Sequence, residues 1–322
     1  MSSPRPPRPL RRLRWVLAAL CAVTLAVAFT APASATSAST SHARTWRVSV
    51  GAESHDMAIQ TMAFMPGTIW VNAGDSILWT VRAGEFHTVT FLASGQKLPE
   101  FNPFDPMHVK RQGGSRYDGH SYYNSGLLSN QGSNSGFPAG STYTLTFPNT
   151  GTFTYWCLVH GMFMKGTVHV RAAGTKYPFS QADYNRQADH KKAADLRDGH
   201  RLWDATSDKA DAAKGTVYAG ADDDVAMVMR FINRHVTVHV GDSITWKDPG
   251  MIVPHTITFG PERSNIFVPY GDPKHFAGGQ LNSGLLLPGH DFTVTFTKAG
   301  KYSYICGLHD FLGMVGTVVV TS

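Results

Sequence analysis

Five sequence motifs occur twice in this 322-residue chain, in the same order and 149 to 168 residues apart. Ordered matches on this scale indicate a tandem duplication, so the chain is predicted to fold as two domains of one kind. The motif pairs are Gly-Asp-Ser-Ile-x-Trp (74–79 and 241–246), His-Thr-Val/Ile-Thr-Phe (87–91 and 255–259), Asn-Ser-Gly-Leu-Leu (124–128 and 282–286), an alternating Thr/Phe segment (143–147 and 292–296) and Cys-x-x-His (157–160 and 306–309).

Short segments of each copy alternate apolar with polar residues, as at 236–240, 292–296 and 317–321. They are rich in β-branched and aromatic residues and are bounded by Gly, Pro, Asn and Asp, which is typical of half-buried strands. Several such strands in one domain favour a β-sandwich or a Greek-key barrel. We therefore predict an all-β fold with domains at residues 36–172 and 216–322.

Residues 173–215 differ in composition from both copies, with 8 basic and 7 acidic residues in 43 and few β-branched residues. We interpret them as a short helical connector, with Ser180 and Asp183 as its N-terminal cap and Gly199 as the end of a first helix. A solvated linker without a function of its own is the simpler alternative.

The first 35 residues have the three parts of a secretory signal. Five arginines and no acidic residue precede an apolar run at 15–29, and Ala33-Ser34-Ala35 follows it. We predict a signal peptide at 1–35, cleaved after Ala35, and export to the periplasm or the extracellular space. A membrane anchor is the alternative, but the run is shorter than the ~20 residues that span a bilayer. Arg11-Arg12 leaves general secretion and twin-arginine export both open.

Removing this leader changes what the net charge means. The whole chain carries a formal charge of +6, but five of its arginines are in the leader. The remaining 287 residues hold 24 basic and 23 acidic side chains, so the mature chain is nearly neutral. Nucleic-acid binding therefore loses its electrostatic basis, and we expect no nucleic-acid partner.

Each copy supplies one cysteine, two histidines and one methionine in the same order. The first set is His87, Cys157, His160 and Met164, and the second is His255, Cys306, His309 and Met314. A thiolate, two imidazoles and a thioether form the donor set of a blue copper site, in which a weak axial Met completes a Cys-His-His plane.

Three alternatives stay open at this point. Cys157 and Cys306 of an exported chain could form one disulfide. Zinc also accepts a Cys-His-His set. Met162 is close enough in sequence to replace Met164, which we prefer because it aligns with Met314 on the following Gly-Thr-Val.

With these motifs, both copies resemble cupredoxins of the plastocyanin and azurin group. The segments that carry the resemblance are 86–91, 157–168, 254–259 and 304–320. The resemblance implies two Greek-key β-sandwich domains with one type 1 copper site each, and electron exit through the edges of His160 and His309. Cupredoxins often have Asn after the first His ligand to tie the ligand loops together. Here Thr88 and Thr256 stand at that position, and we expect their hydroxyl groups to make a similar bond.

The sequence favours a carrier of electrons over an enzyme. No His-x-His occurs in the chain, and neither Cys157 nor Cys306 has a neighbouring His, so the further copper ligands of oxidases and nitrite reductases are missing. We predict an exported protein with two type 1 copper sites that exchanges electrons with a redox protein partner, and no stable membrane anchor after cleavage. Copper storage or delivery is the alternative, and an enzyme with an unrecognised second copper site is less favoured.

Overall fold

The structure is a computed structural model that describes residues 43–135 and 138–322. The predicted signal peptide, residues 1–35, lies outside this part of the chain. Within the described residues no helix is long and apolar enough to cross a membrane.

The first copy forms two facing sheets. One has the order β3-β1-β5-β9 and the other β4-β11-β10-β6-β8-β7. The bounds are β1 Thr45–Val50, β3 Phe64–Met65, β4 Thr68–Asn72, β5 Ser76–Val81, β6 Thr90–Phe91, β7 Arg111–Gln112, β8 Tyr123–Ser125, β9 Thr142–Thr146, β10 Gly151–Trp156 and β11 Lys165–Arg171, with a one-turn helix α1 at Pro106–Val109 and 3-10 turns at Gly132–Ser135 and Gly161–Phe163.

The second copy repeats this plan with the orders β18-β15-β12-β13-β2 and β14-β20-β19-β16-β17. The bounds are β2 Ile59–Thr61, β12 Thr216–Asp222, β13 Ala226–Ile232, β14 His235–His239, β15 Ser243–Lys247, β16 Thr258–Phe259, β17 Leu281–Asn282, β18 Asp291–Thr295, β19 Gly300–Ile305 and β20 Val315–Thr321, with a 3-10 turn at Asp310–Leu312. The predicted all-β architecture with two domains of one fold is confirmed. The domain bounds 36–172, 173–215 and 216–322 stay a prediction.

Equivalent aromatic residues fill the two cores. Trp79 packs edge-on against Tyr155 with ring centroids 5.4 Å apart, and Trp246 packs on Tyr304 at 5.2 Å. All four rings are buried. The repeated Gly-Asp-Ser-Ile-x-Trp motif places its Ile and Trp on the inward face of β5 and β15, because side chains of a strand alternate between its faces.

Strand β2 belongs to the first copy but completes a sheet of the second. It pairs antiparallel with β13, with Ile59 opposite Val228, Gln60 opposite Met227 and Thr61 opposite Ala226. The segments 59–61 and 226–228 are equivalent, because each begins 15 residues before its Gly-Asp-Ser motif. Each copy therefore presents the same strand to the other, which is the self-complementary contact of a two-fold dimer.

The connector contains one long helix, α2, at Gln181–Ala212. Ser180 and Asp183 form the predicted capping box. The prediction that Gly199 ends a first helix is wrong, because the helix runs through it. A Cβ at Gly199 would overlap the Ile59 side chain, so this glycine permits close packing of α2 on β2. Tyr184 is buried and its hydroxyl accepts the Trp70 N–H at 2.8 Å, so the helix is docked rather than solvated all round.

Candidate metal centres

The first centre gathers His87, Cys157 and His160 in the interior of the first domain. Cys157 Sγ lies 3.2 Å from His160 Nδ1 and 3.8 Å from His87 Nδ1. All three side chains are buried, and their donor atoms lie within 4.8 Å of one another. We call this group site 1.

The second centre, site 2, gathers His255, Cys306 and His309 in the same way. Cys306 Sγ lies 3.4 Å from His309 Nδ1 and 3.7 Å from His255 Nδ1. The two Nδ1 atoms lie 3.2 Å apart. Both cysteines are free, so the alternative disulfide between Cys157 and Cys306 is not formed. Within the described residues no third group of three or more potential ligands gathers.

The first histidine of each site is fixed by the Asn-Ser-Gly-Leu-Leu motif. His87 exchanges both backbone hydrogen bonds with Leu128, at 2.9 and 2.8 Å, and His255 does the same with Leu286. Asn124, at the start of the first motif, donates its side-chain amide to the carbonyls of Met107 and His108. The repeated motif is therefore a structural brace beside each site, which the sequence left unassigned.

The cysteine and second histidine of each site lie on one tight loop between two paired strands. Cys157 follows β10, and its N–H donates to the carbonyl of Met164 at 2.9 Å. Cys306 follows β19 and donates to the carbonyl of Met314 at 3.0 Å. The loops are one residue different in length, yet both close on the same backbone contact.

Two threonines join the ligand loops, as the sequence predicted. Thr88 Oγ1 accepts the Leu158 N–H at 2.8 Å, and Thr256 Oγ1 accepts the Gly307 N–H at 2.7 Å. The backbone N–H groups of the same threonines point at the cysteine sulfurs, each at 3.3 Å. Both threonines thus fix the loop and offer the sulfur a hydrogen bond, which favours its thiolate form.

Burial sets the protonation of these cysteines and histidines in the absence of a metal. It lowers the pKa of His160 and of His309 to about 3, and those of the first histidines fall well below the usual 6.5. The imidazoles are therefore neutral and have a free lone pair. Burial also raises the pKa of Cys157 to about 11 and that of Cys306 to about 12, so a metal has to displace the thiol proton.

These side chains fit a copper ion. Two neutral imidazoles face one soft sulfur in each site, and the Nδ1 atoms of His255 and His309 lie 3.2 Å apart, close enough for one ion to contact both. The mixture of thiolate and imidazole suits copper in both of its common oxidation states.

The methionines differ in position. Met164 and Met314 are buried, whereas the side chain of Met162 is 71% exposed. Met164, and not Met162, is therefore the methionine of this loop that lies in the interior with site 1. The ligand role of Met164 and Met314 stays a prediction.

A family model described as copper binding proteins of the plastocyanin/azurin family matches residues 51–171 and 216–321. The chain belongs to this family. Copper is thereby supported as the cofactor of both halves, since each matched region holds one His-Cys-His group. The predicted resemblance to cupredoxins is confirmed.

Individual relatives of this plastocyanin/azurin-family protein match one domain's length. Plastocyanin of Tetradesmus obliquus is 35% identical over 85 residues, which are 26% of this chain and 54%, about half, of that protein. Plastocyanin of Sambucus nigra is 32% identical over 92 residues, 29% of this chain and 88% of that protein. Among solved structures, a Cu(I) amicyanin mutant is 25% identical and matches 34% of this chain and 84% of its own, with a TM-score of 0.23.

A residue of the first domain contacts site 2 of this family member, which the sequence did not reveal. Glu85 of the first domain is buried, and its Oε2 lies 3.4 Å from His309 Nε2 of site 2. Burial raises the pKa of Glu85 to about 7, against a lowering by the Phe86 backbone N–H. The sequence contains one sign of this contact, which is a difference between the copies: the second copy has Val253 at the position of Glu85.

A cavity of about 1000 Å³ lies beside both sites. His160 and His309 line it, together with apolar side chains of both domains. The second histidines of the two sites therefore face one shared space rather than opposite ends of the molecule.

Proposed function

We propose that this protein is an exported carrier of single electrons with two type 1 copper sites. The observation that carries the proposal is the duplicated, fully buried His-Cys-His group, with the same loop closure and the same threonine bonds in both copies. We propose as ligands His87, Cys157, His160 and Met164 in site 1, and His255, Cys306, His309 and Met314 in site 2.

The chain's own residues do what a carrier requires. The cysteines and first histidines are inaccessible to water and are held by backbone hydrogen bonds, so the donors keep one arrangement in both oxidation states. Copper bound there would supply a one-electron couple between Cu(I) and Cu(II). Little rearrangement of the donors favours fast transfer, and four proposed ligands leave no open position for a substrate, which favours a carrier over an enzyme.

Electrons would enter and leave beside the cavity that both second histidines line. Exposed apolar side chains surround this region, among them Met162, Met251 and Leu287. We propose that a redox protein partner docks there, because close approach to His160 or His309 shortens the transfer distance. Among the described residues that line the cavity, Lys110 and Arg111 are balanced by Glu85 and Glu100, in keeping with the nearly neutral mature chain.

Export rests on the leader sequence alone. Cleavage after Ala35 would leave Thr36 as the first residue of the mature protein. N-terminal sequencing of protein recovered from the medium or periplasm tests this, and an intact Met1 on exported protein would contradict it.

Metal content and visible spectrum test the function. The copper-loaded chain is expected to be intensely blue, to hold two coppers and to accept two electrons in a reductant titration. Cys157→Ser and Cys306→Ser are each expected to remove one copper and half of the absorption. A colourless protein that exchanges Cu(I) readily and has no reversible couple would favour copper storage instead, and steady oxygen or nitrite consumption with more than two coppers would favour an enzyme.

The axial role of Met164 has a matched control in the same loop. Met164→Leu should shift the spectrum and raise the potential of site 1, because a weak donor is lost. Met162→Leu, on an exposed side chain, should change neither. Equal effects of the two substitutions would exclude Met164 as the axial ligand.

A further inference from the structure

Glu85 brings the first domain into contact with a ligand of site 2. Its Oε2 lies 3.4 Å from His309 Nε2, and each residue is only 4% exposed. In the described structure this oxygen has no hydrogen bond of good geometry. A buried acceptor without a donor calls for an explanation, and the ring nitrogen facing it is the one that does not point at the cysteine sulfur.

The position of Glu85 is built by the contact between domains. Gln60, on the strand that completes the second domain's sheet, accepts the N–H groups of Gly84 at 3.0 Å and of Glu85 at 3.2 Å. Gly84 itself packs closely against Leu312, in the ligand loop of site 2, so that a Cβ there would overlap that side chain. The carboxyl group is therefore held against His309 from both sides of the contact.

Site 1 has no such carboxyl group in the equivalent place. The residue two positions before the first histidine is Glu85 in the first copy and Val253 in the second. His160 Nε2 of site 1 is buried without a hydrogen-bond partner. The two sites thus share their donor set but differ in what faces the second histidine.

A histidine that binds a metal through Nδ1 keeps its proton on Nε2. A carboxyl group that accepts this proton's hydrogen bond fixes the tautomer and makes the imidazole a stronger donor. A stronger donor stabilises Cu(II) more than Cu(I), which lowers the reduction potential. A carboxyl group retains an acceptor oxygen whether it is ionised or neutral, so the hydrogen bond can form in either state.

We propose that Glu85 accepts a hydrogen bond from His309 Nε2–H and thereby makes site 2 the more reducing of the two sites, so that electrons pass from site 2 to site 1. The proposal rests on the proposed copper function. In this step Cu(I) in site 2 gives one electron to Cu(II) in site 1, and no bond or proton is exchanged. Glu85 also lies two residues before His87, so the backbone connects the contact directly to site 1.

The test measures the potential of each site alone. In Cys157→Ser only site 2 should bind copper, and in Cys306→Ser only site 1 should. The reduction potential of each of these proteins is measured by spectroelectrochemistry, with and without the additional Glu85→Val substitution. With site 2 alone, Glu85→Val is expected to raise the potential by about 59 mV or more, the equivalent of a tenfold change in the one-electron equilibrium. Glu85→Gln keeps an acceptor oxygen and should give a smaller rise. With site 1 alone the potential should not move, and in the presence of Glu85 it should lie above the potential of site 2 alone.

Glu100→Gln is the matched control, because Glu100 is an exposed acid that lines the same cavity without contacting a ligand. It should leave both potentials unchanged. An unchanged site 2 potential in Glu85→Val, or equal shifts in both sites, would overturn the proposal. If Glu85→Val lowers copper content, Glu85→Gln decides the question. The copper content of the parent protein is measured first. A parent protein that binds no copper would refute the proposed copper function rather than the role of Glu85.

Discussion

Arg230→Met should loosen the contact between the two domains. The buried guanidinium of Arg230 donates to the carbonyls of Leu312 at 2.6 Å, Asp56 at 2.5 Å and Met229 at 2.7 Å. Asp56 belongs to the first domain and Leu312 to the ligand loop of site 2, so one side chain joins the strand, the loop and the neighbouring domain. Met keeps the apolar stem but donates nothing.

The expected cost follows from the acceptors left behind. The Leu312 carbonyl is buried and loses its donor, which costs about 1–3 kcal/mol, and the partly buried Asp56 carbonyl loses less because water reaches it. Relief of the buried charge offsets part of this. Burial lowers the pKa of Arg230, which reflects that desolvation cost. Since the offset roughly balances the smaller loss at Asp56, we expect a net loss of about 1–3 kcal/mol.

Urea unfolding of the copper-free protein measures the loss as a shift in midpoint at constant slope. Site 2 should also bind copper more weakly than site 1 in this variant, because the loop that holds His309 is no longer fixed at Leu312. Arg234→Met removes an exposed arginine four residues away and is the control. A change within about 0.5 kcal/mol of that control would refute the reasoning.

Three further predictions concern stability. Gly199→Ala should destabilise by about 1–2 kcal/mol in urea unfolding, because overpacking against Ile59 outweighs the better helix propensity. In an Ile59→Ala background it should be neutral or stabilising, and stabilisation in the parent protein would contradict the packing argument. Burial raises the pKa of Asp248 to about 7, so the folded state holds a proton that the unfolded state releases above about pH 4, and stability should fall as the pH rises from 4 to 7. Asp248→Asn should remove up to about 4 kcal/mol of this loss. The substitution should therefore raise the free energy of unfolding more at pH 8 than at pH 5. Equal effects at the two pH values would contradict a raised pKa of Asp248. Ser180→Ala should cost about 1 kcal/mol by opening the capping box with Asp183, while Ser180→Asn should restore most of it; an unchanged midpoint in Ser180→Ala would argue against the cap.

Local patterns predicted the features that repeat. Each of these signals lies within a few residues, and the duplication repeats it. They are the alternation of apolar and polar residues in the strands, the spacing of Cys157 and His160, and the place of His87 at the start of its motif. The threonine bonds beside the sites were also predictable, because Thr88 and Thr256 occupy a known position next to a ligand.

The missed features depend on how the copies associate. The pairing of Ile59–Thr61 with the second domain, and the contact of Glu85 with His309, join residues far apart in sequence and have no periodic signal. Gly199 was misread for a related reason. A glycine near the middle of a charged segment is typical of a helix end, but here it is required by the close approach of another element.

The antiparallel pairing of equivalent strands makes this chain a dimer tied into one molecule. In a homodimer of identical subunits, two-fold symmetry would repeat every substitution at both sites, and a glutamate facing one copper would face the other as well. Covalent duplication removes that constraint. Glu85 of the first copy corresponds to Val253 of the second, and Arg230 of the second copy corresponds to Ala63 of the first. Broken symmetry at these few positions lets two sites with the same donor set have different surroundings, which is the condition for the direction of electron flow proposed above.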